Sequence, residues 1–500
     1  MFKQKKSIIK HIFTYASSQY FSQFVGFFTA IFMRRFLGPF NMGVWNLLKI
    51  VADYATYTHL GTTSTVFYKV PYHRGRGELE EADNVKNVVF SYLTITSFIA
   101  GMGITAYAFI FKSTLLPQMF WGLLVVAVLL LFRRVYTYYV MLLRANKDFT
   151  VLSKSIIFDA IVNLTLVLVL IKNFHLKGLF LTVVLMPILN VLFIRRLVNY
   201  DIKYKFDLRK LGGYIKFGFP LFITSILAML LQSVDKIMIA RFLGLEALGF
   251  YSVALMARGY SVGLSRNFNV VITPHFLEDF GKTKDLKTAG KYLKTPAILM
   301  STCMAMILGF VYLSAPVFVD VVLPKFISGI PALKLLLIAT FFYTASPQSD
   351  HFLIALNKQA RLIPITSFVI VLNIIGNYIL IKMGYGITGV AAATSIAAFA
   401  AFSVTLFYAM MHLGGILNAL KFMGKVVVPL LYATLVVIGL DRLIMFDNVW
   451  VMLSAKIIAF GFFFSPWIYK VNKATGIIAM VIGVIKGLFR KKRGEETTDE

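Results

Sequence analysis

Apolar runs of about 20 residues follow one another from end to end of this chain, interrupted only by short polar segments. That pattern leaves few folds open. Inside hydrocarbon, each backbone N–H and C=O must be satisfied within a helix or within a closed barrel. A run of about 20 apolar residues crosses a bilayer as an α-helix. A barrel would instead show strands of about 10 residues with alternating polarity, and none is evident. The chain therefore reads as an all-α polytopic membrane protein. Composition agrees: 58% of residues are hydrophobic and 15% are charged, where a soluble domain carries about a quarter charged. The runs between residues 11 and 469 give about 14 transmembrane helices. The first run continues too long after Lys10, without an A-x-A site, for a cleaved signal peptide. The single Cys303 rules out an internal disulfide and a thiolate metal cluster.

A net charge of +29 could point to nucleic acid, but its distribution does not. With the N-terminus inside, the inner segments hold 34 Lys and Arg and the outer loops nine. Such a bias orients a polytopic protein with its basic side in the cytoplasm. Both termini are expected there, in a plasma (inner) membrane protein whose basic charge meets anionic lipid headgroups.

The chain also repeats itself. Ile31 to Tyr54 reads IFMRRFLGPFNMGVWNLLKIVADY, and 206 residues later Ile237 to Tyr260 reads IMIARFLGLEALGFYSVALMARGY. Seven of 24 positions are identical, among them the pairs Arg35/Arg241, Gly38/Gly244 and Gly43/Gly249. This is a duplicated helix–tight turn–helix. The spacing equals six helices plus their loops, so the copies share one orientation and form parallel repeats. The expected organisation is a six-helix lobe at 1–198, a basic cytoplasmic linker at 199–216 and a second six-helix lobe at 217–412. Two extra helices at 413–470 and a basic tail at 471–500 complete it. Within that tail, Gly476 to Arg493 is expected to lie along the inner membrane surface and the last seven residues to be disordered. Two lobes around a central cavity point to a transporter.

Ionisable groups within spans are costly and mark pathways or buried pairs. Here they include Lys49, Asp53, Arg133, Arg134, Asp159, Asp235, Lys236, Arg258, Arg266, Lys334, Asp350 and Lys456. Lys334 and Lys456 lie near span ends and fit buried pairs or interfacial snorkelling. Arg258 and Arg266 lie eight residues apart, close to one helical face, and fit a cavity lining. Arg133 and Arg134 fit either role. Arg35 and Arg241 oppose the charge bias at the outer mouth, where they either cap a helix C-terminus or meet an anionic ligand. His59 reads as structural, and no His, Glu or Cys spacing indicates a metal enzyme.

These residues resemble a known family. R-F-L-G-P-x-x-x-G-x-W at Arg35 to Trp45, the basic loop PYHRGRGELEEA (Pro71 to Ala82) and the segment Phe217 to Ala254 around Asp235 resemble the Wzx-type polysaccharide (O-antigen) flippases. These belong to the superfamily that also holds multidrug/cation antiporters and lipid II flippases. The resemblance covers essentially the whole chain. It implies translocation of a polyprenyl-diphosphate-linked oligosaccharide between leaflets by alternating access, a polysaccharide polymerase as partner, and no catalysis or cofactor. Phosphate favours arginine, whose planar fork gives charge-assisted bidentate contacts. The implied headgroup ligands are Arg258 and Arg266, then Arg35, Arg241, Arg133 and Arg134. The resemblance to lipid II flippases further implies a sodium site at Asp235, Asn373, Asn377 and Thr394 with the Val390 carbonyl. Asn377 stands there in place of a second carboxylate, which lowers the charge available to Na+ or H+ coupling. Two alternatives are a cation-coupled multidrug antiporter, which the arginines disfavour, and a membrane glycosyltransferase or polymerase, which the short outer loops disfavour.

Overall fold

The computed structural model describes residues 2–283, 286–356 and 358–475. The tail segment Gly476 to Arg493 and the residues after it, together with 284–285, lie outside the described residues. Among the described residues all regular structure is helical. The helices are α1 (Phe2–Thr56), α2 (Thr62–Gly75), α3 (Leu79–Ile110), α4 (Pro117–Ala145), α5 (Phe149–Leu166), α6 (Lys172–Leu197), α7 (Leu208–Phe242) and α8 (Leu245–Thr283). They continue as α9 (Leu286–Val322), α10 (Ile330–Ala345), α11 (Pro347–Ala355), α12 (Leu362–Lys382), α13 (Gly386–Leu443) and α14 (Val449–Thr475). Nine stretches among the described residues are long and apolar enough to cross a membrane. Several helices, not all of them in that set, run through two of the expected spans. α1 continues past Gly38, α5 joins α6 through a π turn at Val167–Ile171, and α13 continues past Gly414–Gly415. The number of continuous helices is therefore not the number of crossings. The protein is an all-α polytopic membrane protein.

The chain forms two compact units. The first holds Met1–Val253, Val322–Gly329 and Asn377–Val390, and the second holds Ala254–Val321, Ile330–Gly376 and Ala391–Glu500.

In the first unit the duplicated turn takes the same form in both copies. α1 breaks at Gly38, with φ 72° and ψ 174°, and Pro39 follows. Gly244, its aligned partner, has φ 90° between α7 and α8. Left-handed φ is open to glycine at no steric cost, which accounts for glycine in both copies. The other pair, Gly43 and Gly249, serves close approach. A Cβ placed on Gly43 would lie 1.7 Å from the Leu245 carbonyl oxygen, and one on Gly249 would lie 1.8 Å from the Pro39 carbonyl oxygen. Pro39 and Leu245 are themselves an aligned pair. The start of α8 and the second half of α1 thus meet in a reciprocal, two-fold contact, each turn receiving the glycine of the other. Arg34 fastens it. Its guanidinium is 7% exposed and donates to the Ser252 carbonyl (2.9 Å), the Ser252 hydroxyl (3.2 Å) and, within its own helix, the Ala30 carbonyl (2.9 Å).

The segment between α6 and α7 is extended and tied down. The Lys203 backbone N–H donates to the Asn87 side chain (3.0 Å) and that of Lys205 to the Ser91 hydroxyl (2.8 Å). Tyr200 donates its hydroxyl to Asp148; burial and this bond raise its pKa. α7 then starts at Leu208 behind an Asp207 N-cap, which accepts from the Lys210 N–H at 2.9 Å. The second half of the expected 199–216 linker is therefore helical.

Candidate functional site

Two cavities open inside the first unit. One, of about 560 Å³, lies between α1, the turn after it, α2, α4 and α7. The other, of about 590 Å³, lies among α1, α4, α5 and α6. Arg133 lines both. It sits near the middle of α4, and its Nη2 donates to Asp53 Oδ1 at 2.8 Å. The two side chains keep 36% and 29% of their surface accessible. A pair this open contributes at most about 1 kcal/mol, so an anion can displace the carboxylate. Lys236 faces the first cavity as well. That cavity therefore carries two cations against one carboxylate. The second cavity carries Lys49 and Asp159 beside Arg133, and Asn190 donates its amide to Asp159 at 2.6 Å.

Arg134, one residue on, has a different fate. Successive helical residues point about 100° apart. Arg134 is 6% exposed. Its Nε donates to the Ser97 hydroxyl (2.8 Å), and its Nη2 donates to the Thr56 carbonyl (2.8 Å) and the Thr58 hydroxyl (3.2 Å). These bonds fasten α3 and the end of α1 to α4. Arg134→Ala is expected to remove about 3 kcal/mol or more of stability, because charged hydrogen bonds contribute about 1.5–3 kcal/mol each. Thermal unfolding of the purified protein in detergent checks this, and an unchanged melting temperature would contradict it.

The other expected site residues are dispersed. Arg258 lies in the second unit with its guanidinium carbon 4.3 Å from the centroid of Tyr343. Arg266 is exposed, as are Arg35 and Arg241 beside the two breaks. None of these four lines either cavity. Asp235 is 2% exposed and accepts from the Asn377 amide at 3.0 Å. In the second unit Asn373 donates to the Thr394 hydroxyl at 3.3 Å. Val390 is fully buried. Asp350 stands in the first turn of α11. Lys456 and Lys334 reach the same carboxylate, Asp441, at 2.8 and 3.9 Å.

The charged residues of the first cavity, Asp53, Arg133 and Lys236, were legible in the sequence, but the uncharged part of its wall was not. It is written along α7. Phe222, Ser225, Met229, Gln232 and Lys236 recur every three or four residues, Ser233 follows Gln232, and all six line the cavity. A polar stripe at helical period on an otherwise apolar span is the signal that could have found them.

The profile of a family described as polysaccharide biosynthesis proteins matches residues 32–325. That range covers both duplicated turns and every charged residue of the two cavities. The chain belongs to this family. Solved structures share the fold. The lipid II flippase MurJ in its inward closed conformation superposes with a TM-score of 0.68 at 17% identity, over 92% of this chain and 99% of that one. A multidrug resistance MATE family transporter of the MOP superfamily, inward-facing, gives a TM-score of 0.62 at 17% identity, over 80% and 96% of the two chains. A MOP superfamily transporter from Pyrococcus furiosus gives 0.55 at 16% identity, over 83% and 96%. No curated protein sequence matches the chain. At these identities the likeness establishes the fold, and this polysaccharide biosynthesis protein has the polytopic fold of MOP superfamily transporters.

Proposed function

We propose that this protein moves a polyprenyl-diphosphate-linked oligosaccharide from the cytoplasmic to the outer leaflet of the plasma membrane by alternating access. The observation that carries the reading is Arg133. It is a guanidinium shared by two cavities that each carry further charged side chains, within helices otherwise built for lipid, and its partner is weak enough to yield. A diphosphate carries about two negative charges and cannot enter hydrocarbon bare. A planar guanidinium meets its oxygens two at a time. Lys236 adds a point charge in the same space. Membership of a polysaccharide biosynthesis family fits such a cargo.

The rest of the expected machinery belongs to the same proposal. Its organisation is two six-helix lobes, 1–198 and 217–412, with both termini cytoplasmic and a polysaccharide polymerase downstream. Arg258 is a further headgroup ligand in it: stacking on Tyr343 occupies the face of the guanidinium and leaves the in-plane N–H donors for phosphate. Arg266, Arg35 and Arg241 are exposed ligands for the approaching headgroup. Asp235, with Asn377 beside it, is the proposed coupling-ion residue, for Na+ or H+.

Depletion of the protein followed by lipid analysis of the two leaflets tests the function. The expected result is accumulation of diphosphate-linked oligosaccharide on the cytoplasmic side with loss of surface polymer. Unchanged polymer together with new sensitivity to cationic dyes would overturn it in favour of drug export.

A further inference from the structure

We infer that the aromatic wall of the first cavity, formed by Tyr57, His59 and Phe222, is a sugar-stacking subsite that reads the first pyranose of the cargo; the inference rests on the transport reading above. The three rings pack on one another, with centroids 5.6 Å apart for Tyr57–His59, 6.1 Å for Tyr57–Phe222 and 6.2 Å for His59–Phe222. All three line the cavity that holds Arg133 and Lys236. In the cargo the first sugar is bonded directly to the outer phosphate. Cations that hold the diphosphate therefore deliver that ring to the same space.

The wall suits a sugar chemically. Pyranose C–H groups carry partial positive charge, and aromatic faces carry the complementary negative quadrupole. The rings are also fixed in advance. Tyr57 donates its hydroxyl to the Ser225 carbonyl at 3.1 Å, so its face rather than its hydroxyl is on offer. His59 Nδ1 accepts the Gly61 backbone N–H at 2.8 Å, which places the ring proton on Nε2 as a donor. Gln232, an exposed amide on the same wall, supplies both a donor and an acceptor for hydroxyls. An aromatic wall could equally receive a cationic drug, but Arg133 and Lys236 in the same cavity repel one.

The test is calorimetric titration of the purified full-length protein in detergent. The probes are farnesyl diphosphate and the same carrier with glucose, galactose or N-acetylglucosamine on its terminal phosphate. Wild-type protein is expected to bind at least one sugar-bearing probe about tenfold more tightly than the bare carrier. Phe222→Leu and Tyr57→Leu are each expected to remove most of that preference while holding bare-carrier affinity within about twofold. Retained bare-carrier binding also reports that the variants fold. Equal loss for bare and sugar-bearing probes, or no preference in the wild type, overturns the subsite and leaves the transport reading intact. Failure of the wild type to bind any probe overturns both.

Discussion

Arg133→Ala is expected to abolish export while the protein persists in the membrane at its normal level. Its guanidinium is accessible on both cavities and has one carboxylate partner at 2.8 Å, so its loss leaves no buried donor stranded. The loss falls on the anion. Truncating one partner of a hydrogen-bonded charge pair at a binding site costs about 2–5 kcal/mol, and the rate of headgroup transfer should drop at least about thirtyfold. Arg133→Lys keeps the charge but not the fork and should recover only part of the rate. Surface polysaccharide, measured beside membrane protein level, decides the matter. Normal surface polymer in Arg133→Ala would remove this residue from the headgroup site. The contrast with Arg134→Ala is part of the expectation, because that variant should lose stability first.

Gly249→Val is expected to lose both transport and stability. A Cβ there would stand 1.8 Å from the Pro39 carbonyl oxygen and 2.4 Å from its carbon. Both obstacles are backbone, so no rotamer change relieves them. Overpacking of side chains costs about 1–3 kcal/mol, and a backbone clash falls at or above the top of that range. The reciprocal Gly43→Val should behave alike, because its Cβ meets the Leu245 carbonyl. Gly103→Val in α3 is the control, since nothing lies within 4 Å of its Cβ position. Melting temperature and surface polymer should be near wild type for Gly103→Val and depressed for the other two. A stable, active Gly249→Val protein would mean that the two turns do not need to touch.

The glycine pairs show how far local reasoning reaches. A break in a helical pattern marked by glycine at the same place in two copies is readable as a turn, and Gly38 and Gly244 both take positive φ. The second pair, Gly43 and Gly249, was visible as a repeat. Its purpose was not, because each glycine answers to a carbonyl in the other copy, over 200 residues away. Charge in the spans followed a similar course. Lys334 and Lys456 were legible as residues near span ends, yet their shared partner Asp441 emerges only when α10, α13 and α14 come together.

What the sequence determined by itself was what depends on a residue and its near neighbours along the chain. Apolar length dictated helices in a membrane, glycine dictated the turns, and duplication dictated two alike segments. The tertiary structure decided which side chains meet. Arg133 and Arg134 are adjacent and chemically identical, yet one faces two cavities and the other is sealed against Ser97 and the Thr56 carbonyl. On a soluble helix an apolar stripe would have told the two faces apart. Lipid and protein neighbours are both apolar, so the uneven polarity that α4 does carry cannot say which of two adjacent arginines is enclosed. Only the packing of α1, α3 and α6 around it assigns each face its surroundings.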